Sequence, residues 1–311
     1  MPETKTRSRL SVRRALESDN PISRTVLMAY RAKVALGYCT PKLAAIPSWL
    51  LHSREFTNFT YDLTERNLSY LASTLSLVTG QPVEDIAGFL REPAHDRQLQ
   101  AHVRSTVNAS RLRSVSDSSP RFGRRLGWYA LARALKPSVL VETGVDKGLG
   151  SVLLCSALLR NAEEGHPGLY YGTDINPKAG YLLHGAYARV GKVLCGDSIA
   201  SLKALDHKID LFVNDSDHSA EYELAEYRTI AVKLSERAVI LGDNSHCSDS
   251  LWTFSRESNR EFIFFAEEPA AHWYPGGGIG ISLRRKQAAT QGLTLAAAAA
   301  GAVAGRSLFR H

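Results

Sequence analysis

The stretch IDLFVNDSDHSAEY, Ile209–Tyr222, is an apolar run that stops at Asp215, Ser216, Asp217 and His218. Ile209–Val213 suit a buried strand, so two acids and an imidazole at its tip call for a purpose. A second apolar run, AVILGDNSH, ends the same way, at Asp243, Asn244 and His246. Adjacent parallel strands lie about 4.8 Å apart, close enough for their tips to bring Asp215, Asp243 and Asn244 together. Two carboxylates and an amide carbonyl are hard oxygen ligands of the kind Mg²⁺ takes. The plainer reading of the same residues is helix capping at strand–helix turns.

Three further strand ends carry related signals. VETGVDKGLGS, Val141–Ser151, places Gly144, Gly148 and Gly150 where a strand turns into a helix, so that the backbone can approach a ligand closely. The spacing is neither G-x-G-x-x-G nor a P-loop, in which Lys147 would precede Ser or Thr. GTDINP ends at Asp174, 30 residues after Gly144, where an acid can accept from both ribose hydroxyls of a nucleoside. CGDSIASL offers Asp197 to an adenine amino group, or equally as a helix N-cap. One nucleoside-containing ligand along the carboxyl edge of a sheet accounts for all three.

The elements that must carry these tips are apolar runs at 138–143, 169–174, 192–195, 209–214, 238–243, 261–267 and 278–285, with helical segments between the first six. Strand–helix alternation predicts parallel pairing with right-handed crossovers, hence a doubly wound, Rossmann-like α/β sheet. The last two runs are joined by EPAAHWYPGGG, too short for a crossover helix, and should pair antiparallel. Ahead of the sheet, residues 1–120 read as a helical region. Leu68, Leu71, Leu75 and Val78 share one face of a helix that stops at Gly80, and a second helix opens at Pro82 and ends before Pro93. SVSDSSPRFG, 114–123, reads as a linker, and the Ala-rich stretch 287–311 as a flexible tail.

At 311 residues and 44% hydrophobic, the chain can bury a large core. Its net charge of +7 and pI near 9.2 allow a nucleic-acid partner, but aromatics are not interleaved with the basic runs and no base-flipping motif appears. Four cysteines without a CxxC pair fit a reduced, cytoplasmic setting, with Cys155 and Cys195 as core residues. No run of 18 apolar residues suggests a membrane span, and no secretory signal is visible.

Taken together, VLVETGVDKGLGS, GTDINP, CGDSI, IDLFVNDSDH, AVILGDN and GGGIGISLR resemble the class I S-adenosylmethionine-dependent methyltransferases over roughly 124–286. Within them the chain looks most like the metal-dependent O-methyltransferases of the macrocin and catechol type. The resemblance implies a seven-stranded sheet with an antiparallel last strand and a methyltransferase domain over 121–286. It implies S-adenosylmethionine as cofactor, with Glu142 and Gly144 beside its methionine part, Asp174 on the ribose and Asp197 near the adenine, and with Gly148, Ser151 and Asp215 also among the cofactor-binding residues. It implies Mg²⁺ on Asp215, Asp243 and Asn244, with a small-molecule hydroxyl completing the shell, as on a sugar or polyketide. His218 stands where the catechol type carries a lysine base. Asp217 is a rival base or a fourth ligand, and His246 a substitute base. Asn244 and the serine of NDSDH depart from the pattern and leave a metal-free site open.

The acceptor side falls to the N-terminal region, as lid or oligomerisation element, and to His272, Trp273 and Tyr274, which suit ring stacking or plain packing of the hairpin. Phe56, Phe59 and Tyr61 read as helix-packing residues. A homodimer is left open. The competing readings are an NAD-dependent oxidoreductase, against which the glycine spacing speaks, and a nucleic-acid methyltransferase or binding protein.

Overall fold

A computed structural model describes residues 21–56, 59–119 and 121–285. The tail expected at 287–311 and the basic stretch at the start lie outside them. Seven strands form the central sheet: β2 (Val139–Thr143), β3 (Leu169–Asp174), β4 (Gly191–Cys195), β5 (Ile209–Asn214), β6 (Leu234–Gly242), β7 (Arg260–Ala266) and β9 (Gly278–Arg284). They lie in the order β4-β3-β2-β5-β6-β9-β7, and only β9 runs antiparallel to its neighbours. Two short strands, β1 (Asp62–Leu63) and β8 (Pro269–Ala270), pair beside it.

Alternation along each central strand feeds two cores. Leu140, Leu211, Val213, Val239 and Leu241 face one side, and Val139, Val141, Phe212 and Ile240 the other. Both faces are covered, which is why these strands are apolar throughout. On the first side lie α2 (Glu65–Thr79), α3 (Val83–His95), α4 (Arg97–Ala109), α5 (Arg125–Leu135) and α6 (Leu149–Glu163), whose Leu71, Ile86, Leu99, Trp128 and Leu153 join one cluster with the strands. Against the second side pack α7 (Ser198–Ala204), α8 (Ala220–Ile230) and α9 (Ser250–Glu257), through Leu202, Tyr227, Ile230 and Phe254. Burying each such side chain is worth about 1.5–3 kcal/mol. The first helix, α1 (Pro21–His52), buries none of its residues.

Helix α2 ends as its sequence predicts: Gly80 is left-handed at φ 74° and its N–H closes on the Ser76 carbonyl. Four expectations are corrected. Helix α3 runs through Pro93 to His95, because Pro93 is buried and so near the helix end that it forfeits one backbone bond. Between β3 and β4 the crossover is turns and one 3₁₀ turn at Tyr187–Arg189. Cys195 is exposed, because β4 is the sheet's edge strand, whereas Cys155 is buried. The serine-rich stretch 114–123 is packed down: Ser116 and Phe122 are buried, and Asp117 accepts from Ser53 Oγ at 3.0 Å and the Arg54 N–H at 2.7 Å.

Candidate functional site

The carboxyl ends of β2, β5 and β6 stand in one rank, with Thr143 opposite Asn214 and Asn214 opposite Gly242. The next residue on each strand is tied to the neighbouring tip: the Asp215 N–H donates to Thr143 at 2.8 Å and the Asp243 N–H to Asn214 at 2.9 Å. Beneath them the buried Glu226 of α8 accepts from Thr143 Oγ1 at 3.2 Å, Ser216 Oγ at 2.7 Å, Asn214 Nδ2 and Ser198 Oγ. One carboxylate thus pins the tips of β2 and β5 and the start of α7. Burial raises its pKa, against the pull of these donors.

In front of the rank opens a cavity of about 730 Å³. Gly144, Asp174 and Asp197 line one end, Asp215, Asp217, His218, Asn244 and His246 the middle, and Phe59, Tyr61 and Tyr274 the far wall. Asp174 accepts from the Asp146 N–H at 2.8 Å and the Asn176 N–H at 2.8 Å, which fixes the turn after β3. Asp197 caps α7 through the Ala200 N–H at 2.7 Å and accepts from the Tyr222 hydroxyl at 2.7 Å, so cap and cavity wall coexist in one residue. Glu142 and Ser151 sit behind the main cavity, both buried, joined at 3.0 Å and both in contact with the Tyr170 hydroxyl. Burial pushes Glu142 up to about 7. Gly148 is left-handed at φ 91° and begins α6 close against Gly180.

The structure brings Asp215, Asp243 and Asn244 to one place, together with two residues that sequence reasoning passed over. Arg124 donates through Nε and Nη2 to both carboxylate oxygens of the fully buried Asp243. Its Nη1 reaches the Tyr61 hydroxyl at 3.2 Å and lies 3.7 Å from the Glu267 carboxylate. Arg125 lies 3.7 Å from Asp215 and 5.3 Å over the Trp128 ring. Burial and the neighbouring Asp243 charge hold Asp215 well above the usual carboxylate range. Burial would raise Asp243 too, but the charge and hydrogen bonds of Arg124 override it and hold it low. Among the described residues no group of three or more His, Cys, Asp or Glu is placed to hold a metal. A dication about 4 Å from one guanidinium would meet roughly 8 kcal/mol of repulsion, twice the figure for two unit charges at an effective dielectric near 20. With Arg124 on Asp243, the donor set does not fit Mg²⁺.

Of the three candidate bases, Asp217 is exposed and spends Oδ1 on the Ser219 N–H at 2.7 Å, which lowers its pKa. His218 is exposed at the cavity rim. His246 lies with Nε2 3.5 Å from the Tyr274 hydroxyl, and partial burial and then the Arg124 charge keep its imidazole below 6.5. Tyr61 joins the core cluster with the helices and Phe59 packs against it, as the helix-packing reading expects, and both also line the cavity, whereas Phe56 departs from that reading and is exposed. Trp273 packs on Trp49 and Phe59, at ring distances of 5.3 and 5.1 Å, whereas Tyr274 faces the cavity.

Residues 141–245 match the family model of a methyltransferase domain. By this match the chain carries a methyltransferase domain. Solved structures similar to it include a methyltransferase from Geobacter sulfurreducens, 17% identical, covering 60% of this chain and 90% of that one at a TM-score of 0.44. A Podospora anserina methyltransferase bound to S-adenosylhomocysteine is 15% identical over 65% of this chain and 95% of its own, at 0.44. The O-methyltransferase TomG of Streptomyces achromogenes, involved in tomaymycin synthesis, is 16% identical over 61% and 91%, at 0.41. No curated protein matches the chain. The matched segment of the methyltransferase domain spans the tips of β2, β3, β4, β5 and β6, from Glu142 to Asn244. No described helix is long and apolar enough to cross a membrane.

Proposed function

We propose that the domain methylates a hydroxyl of a small, ring-bearing molecule. The observation that carries this reading is the single cavity that runs from Asp174 and Asp197 past the strand tips to an aromatic wall. Asp174 and Asp197 would take the ribose and adenine, and the turn at Gly144 the part between them and the tips. When bound, S-adenosylmethionine supplies a methyl group on a sulfonium, and the C–S electron pair stays with sulfur as the O–C bond forms. Phe59, Tyr61 and Tyr274 offer faces and edges for the acceptor's ring. His246 takes the hydroxyl proton: it is neutral at neutral pH and lines the same cavity. His218 at the rim is the alternative acceptor of that proton, and Asp217 serves as a helix cap. Holding oxygen and methyl in line would supply much of the acceleration.

The loop before β1 contributes Phe59 and Tyr61, so the helical N-terminal region takes part in binding the acceptor. Mg²⁺ has no part in this scheme while Arg124 stands on Asp243. The test is transfer of a labelled methyl from S-adenosylmethionine to a panel of hydroxylated aromatic, glycosylated and polyketide compounds. A labelled methyl ether from any of them supports the reading. Binding of NAD without binding of S-adenosylhomocysteine would overturn it.

A further inference from the structure

The acidic tips of β5 and β6 carry a counter-charge that the scheme above leaves without a role. Asp243 lies at the end of a strand with no exposed surface, and a buried carboxylate needs a cation or several donors. It has one: both of its oxygens accept from Arg124. The guanidinium comes from the residue just before α5 and is held from three directions, by Asp243, by the Tyr61 hydroxyl and by Glu267. Glu267 is itself buried, fixed by the Tyr61 hydroxyl at 2.7 Å and the Gly277 N–H at 2.9 Å. Arg124 therefore sits in a built socket, and the same side chain lines the acceptor end of the cavity. A guanidinium has five N–H groups. Its bonds to Asp243 and Tyr61 use three of them.

We propose that Arg124 is the resident cation of this site, presenting its remaining N–H groups to the acceptor's oxygen, so that the domain works without a divalent metal. The inference rests on the proposed methylation of a hydroxyl. As the proton leaves for His246, negative charge grows on the acceptor oxygen, and a preorganised guanidinium stabilises it where a metal would otherwise do so. Arg124 stays protonated throughout and moves no proton. Asp243 acts as a positioning residue, since it holds the guanidinium and touches no reacting atom. Arginine suits this place better than lysine, whose single ammonium cannot span both carboxylate oxygens and still reach outward.

The experiment uses the full chain, saturated with S-adenosylhomocysteine, and Mn²⁺ as the probe, with bound metal read from the loss of the free-ion paramagnetic resonance signal. The wild type is expected to leave the signal unchanged. Arg124→Met removes the cation, exposes Asp243 and Asp215 to the probe, and is expected to bind Mn²⁺ at least about tenfold more tightly, a difference of one decade in Kd. Stoichiometric Mn²⁺ binding by the wild type that is lost in Asp243→Asn would overturn the proposal, and this arm needs no Arg124 variant to fold. Binding of S-adenosylhomocysteine is scored separately by calorimetry. Its absence from the wild type would sink the methyltransfer reading, whereas Mn²⁺ binding in its presence sinks only the role of Arg124.

Discussion

A Cβ built on Gly144 falls 1.9 Å from the carbonyl oxygen of Asp215. The turn after β2 thus runs in backbone contact with the tip of β5, and Gly144 holds it with φ at 82°. That backbone region costs other residues about 1–3 kcal/mol before any clash. The atom it would strike is backbone, which cannot swing aside as a side chain can. Gly144→Ala should therefore lose more stability than this in urea denaturation, and its affinity for S-adenosylhomocysteine should fall with it. Unchanged values of both would show that the turn does not press on β5.

Asp174 offers the same cavity a carboxylate whose position is set by two backbone N–H groups. A hydrogen bond to a charged group contributes about 1.5–3 kcal/mol. Asp174→Asn should weaken S-adenosylhomocysteine binding by roughly tenfold to a hundredfold in calorimetry and, because an amide has one acceptor oxygen for the two N–H groups, should lower the melting temperature as well. An unaltered Kd would remove Asp174 from the ribose site.

Glu142 makes stability fall as pH rises. Its folded pKa is raised from 4.5 to about 7 by burial, so the native state holds a proton that the unfolded chain has already released. Stability from this group is fully present below 4.5, declines between 4.5 and about 7, and is lost above that window. The size is about 3 kcal/mol at 1.36 kcal/mol per pKa unit. Glu142→Gln cannot ionise, so relative to the wild type it should gain stability by about that much across the window. Denaturant titrations at either end check it. Parallel curves for the two proteins would place the ionisation elsewhere.

The strand tips were legible because each breaks a run of apolar residues: Asp174, Asp197, Asp215 and Asp243 interrupt a buried pattern and must have a local reason to be there. Gly80 was legible for the opposite reason, since a left-handed cap depends on a single residue type. Arg124 and Arg125 were not, because charged residues ahead of a helix leave no periodic signal, and only the fold turns the start of α5 toward β6. Glu226 looks like an ordinary acid on a helix surface, and only tertiary packing reveals four donors converging on it. Tyr61 and Glu267 lie 206 residues apart and meet through the pairing of β1 with β8, two residues each and too short to leave a periodic signal. Periodicity found the sheet and its capped helices, and long-range charge pairing escaped it.

The division of labour between the two histidines separates in a pH profile. His246 is held below 6.5, first by burial and then by the Arg124 charge, so its neutral, proton-accepting form persists into mildly acidic solution. If it takes the acceptor's proton, the acid limb of kcat lies below 6.5. His246→Gln should lower kcat by about 10²–10⁴-fold, the usual contribution of a positioned base, with S-adenosylhomocysteine affinity intact. In Arg124→Met the nearby positive charge is gone, and the acid limb of any residual activity should move upward. His218→Gln should cost much less, because an exposed imidazole at the rim is replaced by water. A larger loss in His218→Gln than in His246→Gln would transfer the proton to the rim and leave His246 as a wall of the cavity.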